Sequence, residues 1–245
     1  MLIESTAHLP ISLAMLQDVF HMPSDGATWA RIFLRWSHFV AGITWIGLLY
    51  FFNLVNVPFQ KGIDADTKKK VNPDLLGRAL WYFRWGALIT VLVGLTYYAM
   101  YILAVDVRNA NTLGHGDHVG VLYVLVFWLG YPLVLFAIEF LIIKKVPALI
   151  KDGRIFAIVA LILFAAMTVG ILKWLDSSLI VNGQHFASNK TLSIGVGGAM
   201  GIIMLLNVWG LIWPANKRII GALTGGPPAA PECGHDPLRH CRPNL

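Results

Sequence analysis

A histidine stands inside one of the most apolar stretches of the chain. The segment RWSHFVAGITWIGLLYFFNLVNVPF, residues 35–59, carries His38 near its start and Asn53 and Asn56 near its end. In hydrocarbon a polar side chain without a partner costs roughly 2 kcal/mol or more, so polar residues there are candidates for function. If the segment is one helix, Gly42, Trp45, Phe52 and Asn56 all fall within about 40° of the direction of His38 at about 100° per residue. One face then carries a ligand-type ring, a small residue, two aromatic rings and an amide. Neutral imidazole is a good iron ligand, and haem is commonly held by axial histidine. Such a face suits a flat haem b standing between helices, with His38 on the iron and Gly42 and Trp45 against the macrocycle. The competing reading is a histidine hydrogen-bonded to a neighbouring helix.

The elements that must position this face are membrane helices. Of 245 residues, 57% are hydrophobic and only 13% charged, against about 25% charged in soluble domains; the mean hydropathy is +0.66. Five apolar runs, at about 32–57, 80–104, 119–143, 155–175 and 191–213, reach the length of roughly 20 residues that a helix needs to cross a bilayer. They lack the alternation of a transmembrane barrel, and in lipid the backbone must satisfy itself. The expected fold is an all-α polytopic bundle, with an outer interfacial segment over 1–30, the membrane domain over 31–215 and a Pro/Gly-rich tail over 216–245 whose composition predicts disorder.

Most of the 19 Lys and Arg follow the first, third and fifth spans, among them Lys68, Lys69, Lys70, Lys144, Lys145, Lys217 and Arg218. The positive-inside rule then puts the N-terminus outside and the C-terminus in the cytoplasm. The net charge of +6 is a topology signal and calls for no nucleic-acid partner. Trp81, Tyr82 and Trp85 at one end of the second span, and Tyr97, Tyr98 and Tyr101 at the other, read as interfacial belts. Gly197 and Gly201 form a GxxxG pair, which predicts close approach of a neighbouring helix or of a flat ligand.

This topology sorts the histidines. His8, His21, His115, His118 and His185 fall on the outer side and His38 in the outer half of a span, leaving only His235 and His240 of the eight elsewhere. His115, His118 or His185 could supply a second axial bond or a base, although each alone reads as an ordinary loop histidine. A second polar layer lies near the inner face: Asn53, Asn56, Arg84, Glu139 and Asn207. Glu139 either snorkels toward the interface near Lys144 or pairs with Arg84 across helices. In the tail, the spacing of Cys233, His235, His240 and Cys241 matches no common zinc site, and the C-x-x-C-H of a c-type haem is missing.

The first-span segment, with its Trp-x-His followed by Trp-Ile-Gly, and the aromatic-rich RALWYFRWGALITVLVGLTYY at 78–98 resemble the membrane-bound urate oxidase (urate hydroxylase) N-terminal family over about residues 30–215. The resemblance implies a bacterial inner-membrane oxidoreductase linked to oxidation of urate to 5-hydroxyisourate. It implies a cytochrome c as electron acceptor, here a separate one. His38 matches the family's first-span histidine. Two other classes stay open on the residues: a permease whose outer histidines capture copper, zinc or haem, and a structural subunit of a respiratory assembly docking through the GxxxG face. Met100, Met167, Met200 and Met204 are scattered, without the ladder that copper(I) transfer favours.

Overall fold

The structure, a computed structural model, describes residues 23–114, 119–146 and 153–223. Five helices in it are long and apolar enough to cross a membrane: α1 (Gly26–Gly62), α2 (Ala65–Leu113), α3 (Val121–Lys145), α4 (Gly153–Ser178) and α5 (Asn189–Ala222). The polytopic all-α architecture is as expected from the apolar runs. Of the outer segment expected over 1–30, residues 1–22 lie outside the described residues and 26–30 already belong to α1; of the tail expected over 216–245, residues 216–222 continue α5 as helix and those from 224 lie outside the described residues.

The helices outrun their apolar cores. Helix α2 has 49 residues, about 73 Å at 1.5 Å per residue, more than twice the roughly 30 Å of hydrocarbon. Its basic Lys68–Lys70 start, expected as a connection, is helical because Asp64 caps it, accepting from the N–H groups of Asp66 and Thr67. The Thr67 hydroxyl and N–H hold the Asp64 carboxyl below its usual range. This cap is therefore complete above about pH 4 and is lost as the pH falls through the folded-state value. Asp25 caps α1 in the same way through Thr28, and Ser188 caps α5 through Thr191.

Three of the helices carry a π-helical turn, at Phe51–Asn56 in α1, Ala99–Leu103 in α2 and Val208–Ile212 in α5. The first and last sit just before Pro58 and Pro214. Proline has no N–H to donate and crowds the preceding turn, so the ladder widens there by one residue. Between α4 and α5 a two-residue hairpin pairs β1 (Ile180–Val181) with β2 (Gln184–His185). It turns on Asn182 and Gly183, both at positive φ, the conformation that Asn-Gly favours in tight hairpins.

Packing falls into two apolar clusters. Toward the hairpin end, Tyr98, Leu103, Trp128, Ile171, Leu175 and Ile202 join α2, α3, α4 and α5. Toward the opposite, basic end, Trp45, Leu80, Phe83, Ala87 and Val208 join α1, α2 and α5. Polar bonds tie the same helices. The Tyr98 hydroxyl donates to the Thr191 carbonyl at 3.1 Å and Trp128 Nε1 to the Gly195 carbonyl at 3.1 Å. Tyr98 is therefore a packed inter-helix donor, 3% exposed, rather than a belt residue; Trp81 and Tyr82 do lie exposed, as belts do. Buried Asp106 fastens α2 to the start of α5, accepting from Ser188 N–H at 2.8 Å and the Thr191 hydroxyl at 2.6 Å.

Helix α1 packs chiefly along α2, and Gly86 sets their closest approach: a methyl there would lie 3.4 Å from both the Ala41 carbonyl oxygen and the Trp45 nitrogen. Backbone cannot yield as a side chain can. Gly86→Leu is therefore expected to destabilise the α1–α2 pair by about 1–3 kcal/mol, read as a lower melting temperature in detergent. Gly86→Ala should shift it little.

Candidate functional site

Because α1 leans on α2, a groove of about 720 Å³ stays open between α1, α2 and α5, lined among others by Arg35, His38, Gly42, Trp45, Thr90, Gly94, Tyr97, Gly197 and Gly201. That volume lies within the roughly 300–1,000 Å³ of cofactor and small-molecule sites. The lining is mostly apolar, with Arg35 as its permanent cation, one helical turn from His38.

His38 is held from α2. Its Nδ1 lies 2.9 Å from the Thr90 carbonyl oxygen. A carbonyl only accepts, so the bond places the proton on Nδ1 and leaves the Nε2 lone pair free. Among the described residues Nε2 has no hydrogen-bond partner. This is the arrangement that prepares a histidine for metal ligation, where a backbone carbonyl fixes tautomer and ring orientation. The ring fits because residue 94 is glycine: a Cβ there would fall 2.9 Å from both Cε1 and Nδ1 of His38. The Thr90 hydroxyl turns away to donate to the Gly86 carbonyl at 2.7 Å, keeping its own carbonyl available for the ring.

The walls have room for a flat group. Among the described residues, a Cβ at Gly197 would meet nothing within 4 Å, and at Gly201 only Val91 Cγ2 at 3.8 Å. Of the two expectations for this pair, close approach of a neighbouring helix is not met, since the pair opens onto the groove. Close approaches on α5 are made instead by Gly195, against Leu175 and Tyr98, Gly198, against Trp128, and Gly210, against Phe136. Trp45, in the groove wall, holds a buried Nε1–H with no partner among the described residues. An orphaned donor, an open glycine face and a histidine with one free nitrogen are together compatible with a planar, iron-bearing ring.

Other expected site residues lie elsewhere. Phe52 packs edge-on to Phe83 at 5.4 Å, and the Asn56 side-chain oxygen accepts from Gln60 Nε2 at 3.2 Å; neither lines the groove. Phe52 and Asn56 still face α2, but at 14 and 18 residues past His38 they lie about 21 and 27 Å farther along the helix, below the groove. His185 sits on the hairpin, its Nδ1 2.8 Å from Asp176 Oδ1, exposed and apart from the groove. His115 and His118 lie outside the described residues, as do Cys233, His235, His240 and Cys241. Among the described residues no group of three or more His, Cys, Asp or Glu comes together.

The second polar layer is divided. Glu139 does not pair with Arg84: both its oxygens lie 3.3 Å from Asn207 Nδ2, in a smaller cavity of about 230 Å³ between α3, α4 and α5. Arg84 lies instead over the Trp213 ring, 4.0 Å from its centroid. Asn53 caps back onto the Leu49 carbonyl of its own helix at 2.8 Å. Sequence reasoning missed a further polar clasp, in which Gln60 and buried Asn72 exchange hydrogen bonds of 2.6 and 3.0 Å and so tie the basic ends of α1 and α2. Two amides twelve residues apart in a connection gave no periodic signal.

The fold and site define a multi-pass helical membrane protein with a histidine-bearing groove between its first, second and fifth spans. Residues 25–244 match the model of the urate oxidase N-terminal family, and the chain belongs to that family. No curated protein and no solved structure matches it.

The His38 tautomer is directly observable. Nitrogen-15 NMR of histidine-labelled protein at neutral pH should show His38 protonated at Nδ1 and bare at Nε2. In Gly94→Ala, whose methyl would strike the ring, that signature should be lost. An Nε2–H tautomer in the wild type would contradict the assignment.

Proposed function

We propose that the chain is an oxidoreductase of the bacterial inner membrane that holds haem b in the groove through His38 Nε2, oxidises urate to 5-hydroxyisourate and passes the electrons to a separate cytochrome c. The observation that carries this reading is the His38–Thr90 bond beside the open glycine face. The histidine is fixed in the tautomer a metal needs, at the wall of a cavity large enough for a cofactor. Family membership supports urate as substrate, and the distribution of basic residues supports a groove in the outer half of the bilayer.

Each lining residue has a task on this reading. The Thr90 carbonyl keeps the Nδ1 proton in place and raises the basicity of Nε2. Gly94 lets the ring stand between helices. Gly197 and Gly201 leave α5 without side chains, so a flat macrocycle would find room against it. Arg35, toward the hairpin end, is the partner for carboxylate groups, as a guanidinium is suited to be. When bound, haem supplies one-electron redox chemistry. Conversion of urate to 5-hydroxyisourate adds the oxygen of one water and releases two protons and two electrons. The two electrons therefore leave singly and need a one-electron acceptor such as cytochrome c.

Urate added anaerobically to purified, haem-loaded protein is expected to reduce the haem and to disappear from the near-ultraviolet spectrum. Added cytochrome c should sustain turnover. Gly94→Ala, which displaces the ligand without deleting it, should lower haem affinity about 10–100-fold. A fully haem-loaded wild type that urate does not reduce, with cytochrome c present, would refute the substrate assignment.

A further inference from the structure

Arginine at the edge of hydrocarbon requires a partner, because an uncompensated charge withdrawn from water is costly. Arg84 lies where α2 enters its apolar run, beside Trp81 and Trp85. Its guanidinium carbon stands 4.0 Å from the centroid of the Trp213 ring and 5.5 Å from that of Trp209. The backbone joins in: Trp209 Nε1 donates to the Arg84 carbonyl at 3.3 Å. Trp209 and Trp213 span the π turn at Val208–Ile212, so the widened ladder before Pro214 places both rings against one cation.

Stacking on indole offsets part of the cost of the charge but uses none of the five guanidinium donors. Among the described residues, Arg84 Nε is buried without a hydrogen-bond partner and Arg84 has no carboxylate partner. A second cation shares the platform. Exposed Lys217, one turn beyond Trp213, has its ammonium 5.9 Å from the same ring centroid. Two cations on one indole, with no anion between them among the described residues, form half of a binding site. The missing half is an anion at the level of the aromatic belt, where lipid phosphates lie.

The geometry points to a site for the phosphate of an anionic phospholipid headgroup, held by Arg84 with Lys217 against Trp213. Guanidinium donors match phosphate oxygens in paired geometry, and basic pockets between spans are a recurrent form of lipid recognition. None of Arg84, Trp209, Trp213 and Lys217 lines the His38 groove, and the existence of the site is independent of the redox reading.

Delipidated protein in detergent is titrated with phosphatidylglycerol, with phosphatidylcholine and with inorganic phosphate. Bound lipid is counted by native mass spectrometry and stability is followed by melting temperature. Phosphatidylglycerol is expected to be retained preferentially and to raise the melting temperature, with Arg84→Gln and Lys217→Gln each weakening it about tenfold. Lys217 is exposed, so its variant keeps the test valid should Arg84→Gln fail to fold. Equal retention of phosphatidylcholine, or unchanged binding in Lys217→Gln, would overturn the proposal. Stabilisation by inorganic phosphate alone to the same degree would overturn the lipid as the source of the anion.

Discussion

The bond from the His38 imidazole to the Thr90 carbonyl is the contact on which the site depends. An imidazole between two membrane helices needs an acceptor for its proton and space for its ring, and α2 provides both within one turn. Thr90 gives the carbonyl, and Gly94 gives the space. The rest of the α1–α2 packing serves that contact. Gly86 lets the backbones approach, and the Gln60–Asn72 clasp fixes the basic ends. A shift of α1 by one residue would turn His38 about 100° away from its acceptor.

The groove exists because the remaining helices are tied to one another rather than to α1. Tyr98 and Trp128 donate into carbonyls of α5, and Asp106 holds the start of that helix. In lipid the hydrophobic effect does not drive helices together, so such bonds and close packing fix the bundle. They draw α5 toward α2 and α3 and leave its Gly197 and Gly201 face open toward α1. The same glycines in a coiled pair would have closed the space they now line.

The five spans and a histidine inside the first of them were readable from sequence, because both rest on single-residue chemistry: apolar runs of membrane length and one polar ring inside them. The acceptor of that ring was not. A backbone carbonyl has no sequence signature, and Gly94 looks like any other glycine in an apolar helix until the register of α1 on α2 is known. The helix-face argument holds for Gly42 and Trp45, which line the groove, whereas Phe52 and Asn56 lie about 21 and 27 Å along the helix from His38, beyond its reach. Pro58 beside the π turn and the Asn182-Gly183 pair of the hairpin stand in the sequence, but neither element was expected from them. Arg84 could not be assigned, since its partners are rings on a helix more than a hundred residues away in the chain.

The central claim is that His38 is positioned to bind iron, and visible spectroscopy tests it most directly. Wild type and His38→Ala, expressed with ample haem and purified in detergent, are compared in the oxidised and dithionite-reduced states. The account predicts a Soret band with sharp reduced bands in the wild type, lost or grossly altered in His38→Ala. A colourless wild type, or a spectrum unchanged by the substitution, would contradict it.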